Sequence, residues 1–421
     1  MTRTDDHGKG GHMQTMPTGG GKAASAQPYD LLLKGGRVVD PRNRVDGPRD
    51  VAIRGGLVAA VAEALDPADA AAVQDVSGTI VTPGMIDLHT HIYHAATSYG
   101  VEPDPIARRS AVTTMVDAGS AGAGNFAGFR TFVADRSQCR ALAYVNISYP
   151  GIFAFDRDFA FGEASVDGLL SVDRCVAVAE ENRDIVVGVK VRLGGGTSGG
   201  IGLLALERAL AAAGRLGLPL MTHIGRPPPS YDEILERLRP GDVLTHCFRP
   251  APNAPVDGRG ALLPAVAKAR ERGILFDIGH GMGAFGFASA EAALAEGFAP
   301  DIISSDVHMM SVDGPAFDLL HTMSKMMTCG VALADAVAMV TEAPARAMGR
   351  SDLGHLAPGA VADISLIDKV EANFPFVDVA GVRREGAYLL RPRGLVRAGV
   401  PIAPDPRPWE SAYYRQTGQR T

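Results

Sequence analysis

After Pro83-Gly84 the chain alternates between short apolar runs and alanine- and leucine-rich stretches with helical spacing. Repeated βα units predict parallel strands covered by helices, and eight such units are the number that closes a barrel. The pattern therefore predicts a (β/α)8 TIM barrel. The eight strand candidates run into His89, Asp117, Ile147, Lys190, His223, His246, His280 and Asp306.

Strand-like segments with glycine and proline punctuation flank this region on both sides. They lie at 30–34, 37–39, 50–54, 57–61 and 79–81 before it, and at 362–367, 376–379, 387–390 and 395–400 after it. We expect the two groups to complete one small β-sandwich domain. The predicted division is a disordered tail at 1–28, sandwich strands at 29–82, the barrel at 83–356, and further sandwich strands with a C-terminal tail at 357–421.

The charge, the apolar segments and the cysteines of the chain indicate which binding partners and which cellular compartment to expect. The 41 basic and 47 acidic residues give a net charge of −6, so no nucleic-acid partner is expected. No segment reaches the roughly 20 uncharged apolar residues that span a bilayer, and the four cysteines show no C-x-x-C pair. We expect a cytoplasmic protein with reduced thiols that acts on a small molecule, and a homo-oligomer is left open.

The ends of the predicted strands are rich in metal ligands. Alternation along the first strand points His89 and His91 to the same side. His223, His246 and Asp306 close later strands at the edge where a barrel places its active site. Imidazole and carboxylate ligands suit Zn²⁺, so the pattern predicts a metal site.

Lys190 ends a strand that is otherwise apolar, V-V-G-V-K-V. A bare buried ammonium costs several kcal/mol or loses its proton. An ion pair with a neighbouring acidic residue is one explanation of this lysine.

At these positions the sequence resembles the amidohydrolase superfamily. Its binuclear members carry His-x-His on strand one, a carboxylated lysine on strand four, histidines on strands five and six, and aspartate on strand eight. The resemblance implies two divalent metals, with Zn²⁺ expected, and a CO₂-derived carbamate on Lys190. The matching residues, in that order, are His89, His91, Lys190, His223, His246 and Asp306.

Several turns also resemble the dihydroorotase-like or deacetylase group of that superfamily. They are G-S-A-G at 119–122, T-H-I-G at 222–225, T-H-C-F at 245–248, D-I-G-H-G at 277–281 and S-S-D-V-H at 304–308. The group includes enzymes that remove acetyl from acetylated α-hydroxy acids such as acetyl-(R)-mandelate. The resemblance implies cleavage of an acetyl ester or amide of a small carboxylate-bearing substrate by metal-activated hydroxide.

In that chemistry Asp306 is the predicted proton shuttle between the attacking water and the leaving group. His280 and His308 are predicted to contact the substrate, and His308 alternatively orients Asp306. Arg226 and Arg249 are candidates for holding a substrate carboxylate, because a guanidinium fork matches a carboxylate.

A cyclic amidase of the dihydroorotase or hydantoinase type is the alternative, since it shares the metal ligands. True dihydroorotases carry an arginine two residues after the second histidine, and this chain has Tyr93 there. The G-G-G-T-S-G run at 194–199 fits a dinucleotide-binding loop, but the next strand ends in His223 rather than an acidic residue. No G-x-S-x-G motif indicates a serine hydrolase, and a non-catalytic relic barrel would be expected to lose some ligands.

Overall fold

The computed structural model describes residues 27–156 and 158–410. The tail predicted for 1–28 lies outside the described residues except for its last two positions, as does the C-terminal tail from residue 411 onward. None of the helices formed by the described residues combines the length and the hydrophobicity that a membrane span requires.

Five strands precede the barrel and three follow it. β1 to β5 are Tyr29–Asp40, Val45–Arg54, Leu57–Ala62, Ala70–Asp75 and Ile80–Pro83. The barrel strands β6 to β12 are Met85–Thr90, Val112–Gly122, Arg140–Asn146, Val186–Leu193, Leu220–Ile224, Val243–Thr245 and Leu275–Asp277. β13 to β15 are Ile364–Val377, Arg383–Arg397 and Val400–Ile402.

β6 to β12 pair in chain order as one parallel sheet. A segment after β12 then closes the ring: Ile302 bridges Asp277 of β12, and Val307 bridges Thr90 of β6, both in parallel. The amide of Asp306 also donates to the carbonyl of His89 at 2.7 Å. The segment therefore holds the position of the eighth strand, and the predicted TIM barrel is confirmed.

Helices cover the outside of the barrel. Every residue of β7 and β9 is buried, as expected of parallel strands packed on both faces. On the helix α4, Gly202–Leu216, the buried face includes Leu206, Ala209 and Ala213, at the spacing of one helical face. The helices α1 to α10 are Pro103–Ser110, Phe126–Phe129, Val172–Glu181, Gly202–Leu216, Tyr231–Arg237, Pro264–Glu271, Phe287–Ala295, Leu319–Thr328, Leu333–Ala338 and Glu342–Ala347.

The remaining strands form a second sheet that joins the two flanking parts of the chain. β5 pairs antiparallel with β13, and the order is β15-β14-β13-β5-β1-β2-β3, with β4 also paired to β1. The prediction of a strand-rich domain from both flanks is confirmed. Its strands are hydrogen-bonded as one continuous sheet that branches at β1, and the four C-terminal strands predicted after residue 357 are two long strands and one short one.

Candidate metal centre

The first barrel strand brings two histidines to a carboxylate. His89 lies near the end of β6 and His91 directly follows that strand. The Nε2 atoms of His89 and His91 lie 3.3 Å and 3.2 Å from Asp306 Oδ1. One ligand atom from each of the three buried residues lies within 4.8 Å of the others. This spacing suits a single metal ion.

Three further predicted ligands adjoin this group. Lys190 on β9 is fully buried and places Nζ 3.4 Å from His89 Nε2. His246 Nε2 lies 2.7 Å from His223 Nδ1, so these two rings contact each other through their nitrogens. The structure thus brings all six sequence-predicted ligands to the carboxyl end of the barrel.

Outer hydrogen bonds fix the histidine rings. His89 Nδ1 contacts Thr245 Oγ1 at 2.8 Å, and that hydroxyl donates to Asp277 Oδ2 at 2.6 Å. His246 Nδ1 lies 2.7 Å from the carbonyl of Gly279. Because the Thr245 hydroxyl and the carbonyl accept here, both rings carry the proton on Nδ1 and present Nε2 as a lone pair.

Burial favours the uncharged forms of these groups. It lowers the pKa values of all four histidines well below the usual range and the pKa of Lys190 to about 7. Burial likewise raises the pKa of Asp306, against the opposing charges of Lys190 and Arg192. Neutral imidazoles and a neutral amine are the forms that bind metal and CO₂ respectively.

The donor set fits a cation. Asp306 Oδ1 is buried and has no hydrogen-bond partner among the described residues, although it faces two imidazole nitrogens. A buried carboxylate oxygen without a partner is costly, and a bound cation would satisfy it. His246 and Asp306 also adopt positive φ angles of 74° and 47°, a backbone region that non-glycine residues seldom occupy.

Glycine is required beside these ligands. Gly279 has a φ of +48°, and a Cβ there would lie 2.3 Å from Thr245 Oγ1 and 2.8 Å from His246 Nδ1. A Cβ on Gly281 would lie 2.2 Å from Asp306 Oδ2. The G-H-G turn after β12 therefore allows the ligands to pack closely.

A cavity of about 190 Å³ opens onto the metal ligands, below the roughly 300–1,000 Å³ typical of pockets for drug-sized ligands. A larger groove of about 790 Å³ lies elsewhere, beside α7 and α9, and no histidine lines it. The smaller cavity is lined by Tyr99, Phe155, Arg192, His223, Ile224, Gly225, His246, Arg249, Met282, Gly283, Ala284, Asp306 and His308.

The predicted substrate-binding residues divide into two groups. His308 and Arg249 line this cavity, and the His308 ring stacks on Tyr99 at 4.2 Å between centroids. Arg226 is exposed and does not line the cavity. His280 is fully buried, and its two ring nitrogens contact the carbonyl of Gly281 and Nζ of Lys325 rather than the cavity.

Tyr93, which stands where dihydroorotases carry an arginine, is not among the residues that line the cavity. Its hydroxyl donates to the carbonyl of Asn125 at 2.9 Å, and its ring packs edge-on against Phe129.

Sequence reasoning missed Arg192, which lines the cavity and is 4% exposed. The signal was available, because Arg192 follows Lys190 by two residues on β9 and alternation places both on the same face. It also missed Tyr99, which comes from the loop after β6. Phe155 lines the cavity from the loop after β8, within the segment 149–159 that the sequence indicates as a substrate loop.

Comparisons with known proteins agree with this geometry. A model of the amidohydrolase family matches residues 257–386. A deacetylase of Agrobacterium fabrum is 34% identical over 388 residues, which are 92% of this chain and 90% of that protein. A crystal structure of a dihydroorotase superposes with a TM-score of 0.81 at 34% identity, over 89% of this chain and 99% of that one. A crystal structure of an adenine deaminase gives a TM-score of 0.83 at 32% identity, over 89% of this chain and 100% of that one.

Proposed function

The chain belongs to the amidohydrolase family and is a hydrolase of ester or C–N bonds, and we propose that it removes acetyl from a small carboxylate-bearing substrate. An acetylated α-hydroxy acid is the substrate class we favour. Similarity to proteins named deacetylase along most of the chain supports the deacetylase activity.

One observation carries the proposal: the buried, unpartnered Asp306 Oδ1 faces His89 and His91 beside a small cavity. This arrangement places an acid–base group, candidate metal ligands and room for a small substrate in one place. Such a combination is the expected composition of a hydrolytic site.

We assign His89, His91, Lys190 and Asp306 to one divalent ion and Lys190, His223 and His246 to a second, with Zn²⁺ as the expected metal. When bound, such ions polarise the scissile carbonyl and lower the pKa of water towards neutrality. As a carbamate, Lys190 would help to hold both ions. Its neutral amine forms an N–C bond to CO₂ and loses one proton, which leaves two carboxylate oxygens.

The protein's own groups complete the chemistry. The Asp306 carboxylate takes a proton from the attacking water and returns it to the departing alcohol or amine. His308 lines the cavity next to Tyr99 and His91, where it would contact the substrate or orient Asp306. The positions of Arg249 and Arg192 in the cavity wall supply the positive charge that a carboxylate substrate requires.

A cyclic amidase of the dihydroorotase type is the second candidate. Structural similarity to a dihydroorotase along nearly the whole of that chain favours it. The absence of an arginine at Tyr93 argues against dihydroorotate itself, because the phenol offers no charge and its hydroxyl is occupied by the Asn125 carbonyl.

The test is a substrate panel. Protein reconstituted with Zn²⁺ and bicarbonate is incubated with acetylated α-hydroxy acids, N-acetyl amino acids and cyclic amides including dihydroorotate, and substrate loss is followed by proton NMR. We expect acetate release from the acetylated acids. Turnover of cyclic amides alone would transfer the assignment to the second candidate, and no turnover with two metals bound would overturn both.

The carbamate is tested separately with ¹³C-bicarbonate. Reconstitution in its presence should give a carbamate carbon resonance that Lys190→Met lacks. The same variant should bind fewer metal ions per chain, and full metal content in Lys190→Met would contradict the assignment of Lys190 as a metal ligand.

A further inference from the structure

Arg192 is a buried cation in the wall of the cavity. It lies on β9 and its side chain is 5% exposed. Its Nε and Nη1 atoms are buried and have no hydrogen-bond partner among the described residues. A buried guanidinium normally uses its donors, so this group is poised to bind an anion that is not part of the protein.

Its acidic neighbour does not use up these donors. Glu163 Oε1 lies 3.4 Å from Arg192 Nε, and both atoms lack a hydrogen-bond partner within the described part of the chain. A strong guanidinium–carboxylate pair instead has two parallel bonds of about 2.7–2.9 Å. Burial raises the pKa of Glu163, and the positive charge of Arg192 opposes that rise. Glu163 therefore lies close enough to interact electrostatically with Arg192, but it does not accept hydrogen bonds from the guanidinium.

Aromatic contacts connect the guanidinium to the metal ligands. The Arg192 guanidinium carbon lies 4.7 Å from the centroid of Phe155, which supports one face of the group and leaves its edge free. Phe155 packs edge-on against Tyr99 at 5.2 Å, and Tyr99 lies 4.5 Å from the ring of His91. Two aromatic rings, Phe155 and Tyr99, thus connect the cation to His91 of the candidate metal centre.

The other arginines near the site are less suited to this role. Arg249 is partly exposed, and its Nη1 already donates to the carbonyl of Ile224. Arg226 is exposed and does not line the cavity. Arg192 alone of the three combines near-complete burial with two unpartnered donors among the described residues.

We propose that Arg192 binds the carboxylate of the substrate and thereby selects acyl esters or amides that carry an acidic group close to the scissile bond. This inference rests on the proposed function and names the residue that determines its specificity. Glu163 and Phe155 act as positioning residues for the guanidinium.

The first test compares an acetylated α-hydroxy acid with its primary amide, which has nearly the same shape and no charge. Arg192→Gln should lower kcat/KM for the acid by about 10²–10³-fold, because losing one member of a buried charge pair is costly, and for the amide by less than about 3-fold. Arg192→Lys keeps the charge but not the fork, so its loss on the acid should be intermediate.

Arg215→Gln is the control, since it removes an equal charge from the exposed outer face of α4, where Arg215 pairs with Asp173. Thermal melting of each variant separates misfolding from loss of recognition. Equal losses on the acid and the amide, or an unchanged preference for the acid in both Arg192 variants, would overturn the proposal.

A binding measurement distinguishes this inference from the proposed function. Calorimetric titration of the zinc-loaded protein with lactate and with lactamide requires no turnover. We expect lactate to bind more tightly than lactamide, with the difference reduced at least about 10-fold by Arg192→Gln. If no acetyl substrate is hydrolysed but this result holds, the assignment of carboxylate binding to Arg192 stands and the proposed function fails. Lactate binding that does not respond to the substitution would overturn the inference, whatever the activity.

Discussion

Asp306 is unusual both in its backbone conformation and in the surroundings of its carboxylate. Its backbone has a φ of +47°, and its Oδ1 faces two imidazoles without a hydrogen-bond donor among the described residues. Holding a residue in this backbone region costs on the order of 1–3 kcal/mol, so the surrounding structure must enforce the conformation. The amide hydrogen bond from Asp306 to the carbonyl of His89 is one such constraint. The backbone conformation of Asp306 therefore places its carboxylate beside the histidines and does not stabilise the fold locally.

Asp306→Asn tests the role of that side chain. The amide has nearly the same size and retains one oxygen ligand, but it cannot accept and return a proton. We expect kcat to fall by about 10²–10⁴-fold, while the metal content per chain stays close to that of the wild type. Steady-state kinetics and elemental analysis of the same preparations give the two readings. Turnover within about 10-fold of the wild type would exclude Asp306 as the proton shuttle.

Some residues of the candidate site can be recognised from the sequence and others cannot. His89, His91 and Asp306 could be located because each follows an apolar run and the barrel gathers strand ends at one edge. Arg192 could not be singled out by the same reasoning. Its importance depends on its burial and on donors that have no partner among the described residues, and both depend on tertiary contacts that the sequence does not show.

The turn after β12 acts as a single element around the metal ligands. Gly279→Ala places a methyl group 2.3 Å from Thr245 Oγ1 at a φ of +48°. We expect a loss of stability of more than about 1–2 kcal/mol, the usual cost of a left-handed non-glycine residue, and reduced metal content because His246 must move. Gly168→Ala is the control, since a Cβ there meets nothing within 4 Å. Unchanged metal content in Gly279→Ala would contradict the packing argument.

Side-chain hydrogen bonds that join β6, β11 and β12 form the second supporting element. Thr245→Val keeps the shape of the side chain but removes the hydroxyl that joins His89 to Asp277. We expect metal affinity to fall by about 10–100-fold, as is usual when an outer hydrogen bond to a histidine ligand is lost. Thr222→Val is the matched control, because that buried hydroxyl has no hydrogen-bond partner among the described residues. Equal affinities in the two variants, measured by chelator competition, would exclude this role for Thr245.

At the level of elements, irregular strands were the hardest to predict. β13 and β14 are long strands whose register shifts between Leu366 and Ile367 and again between Glu371 and Phe374. Each shift changes which face the following side chains occupy, so the period-two pattern breaks and one strand resembles two. The eighth barrel position is held by single bridges at Ile302 and Val307, yet its apolar run was detectable because burial does not depend on regular pairing.

Over the whole molecule, the sheet from the two flanks of the barrel and the barrel itself share buried contacts. Arg407, near the end of the described chain, pairs with Asp318 at the start of α8 at 3.0 Å and donates to the carbonyl of Leu390 on β14 at 2.9 Å. Asp318 also accepts from the amide of His321 as the N-cap of α8. One buried ion pair thus connects the C-terminal segment, the barrel helix and the flanking sheet.

Arg407→Met should therefore destabilise the protein without altering its chemistry. It leaves Asp318 buried without its cation, and breaking a buried pair in this way typically costs about 3–5 kcal/mol. Arg383→Gln, which breaks the exposed pair with Glu385, should cost less than about 1 kcal/mol. Urea unfolding of the metal-loaded proteins measures both changes, and kcat/KM well below the unfolding temperature should stay within about 2-fold of the wild type, because Arg407 lies outside the cavity. If Arg407→Met were no more destabilising than Arg383→Gln, the C-terminal segment would not be held by this pair.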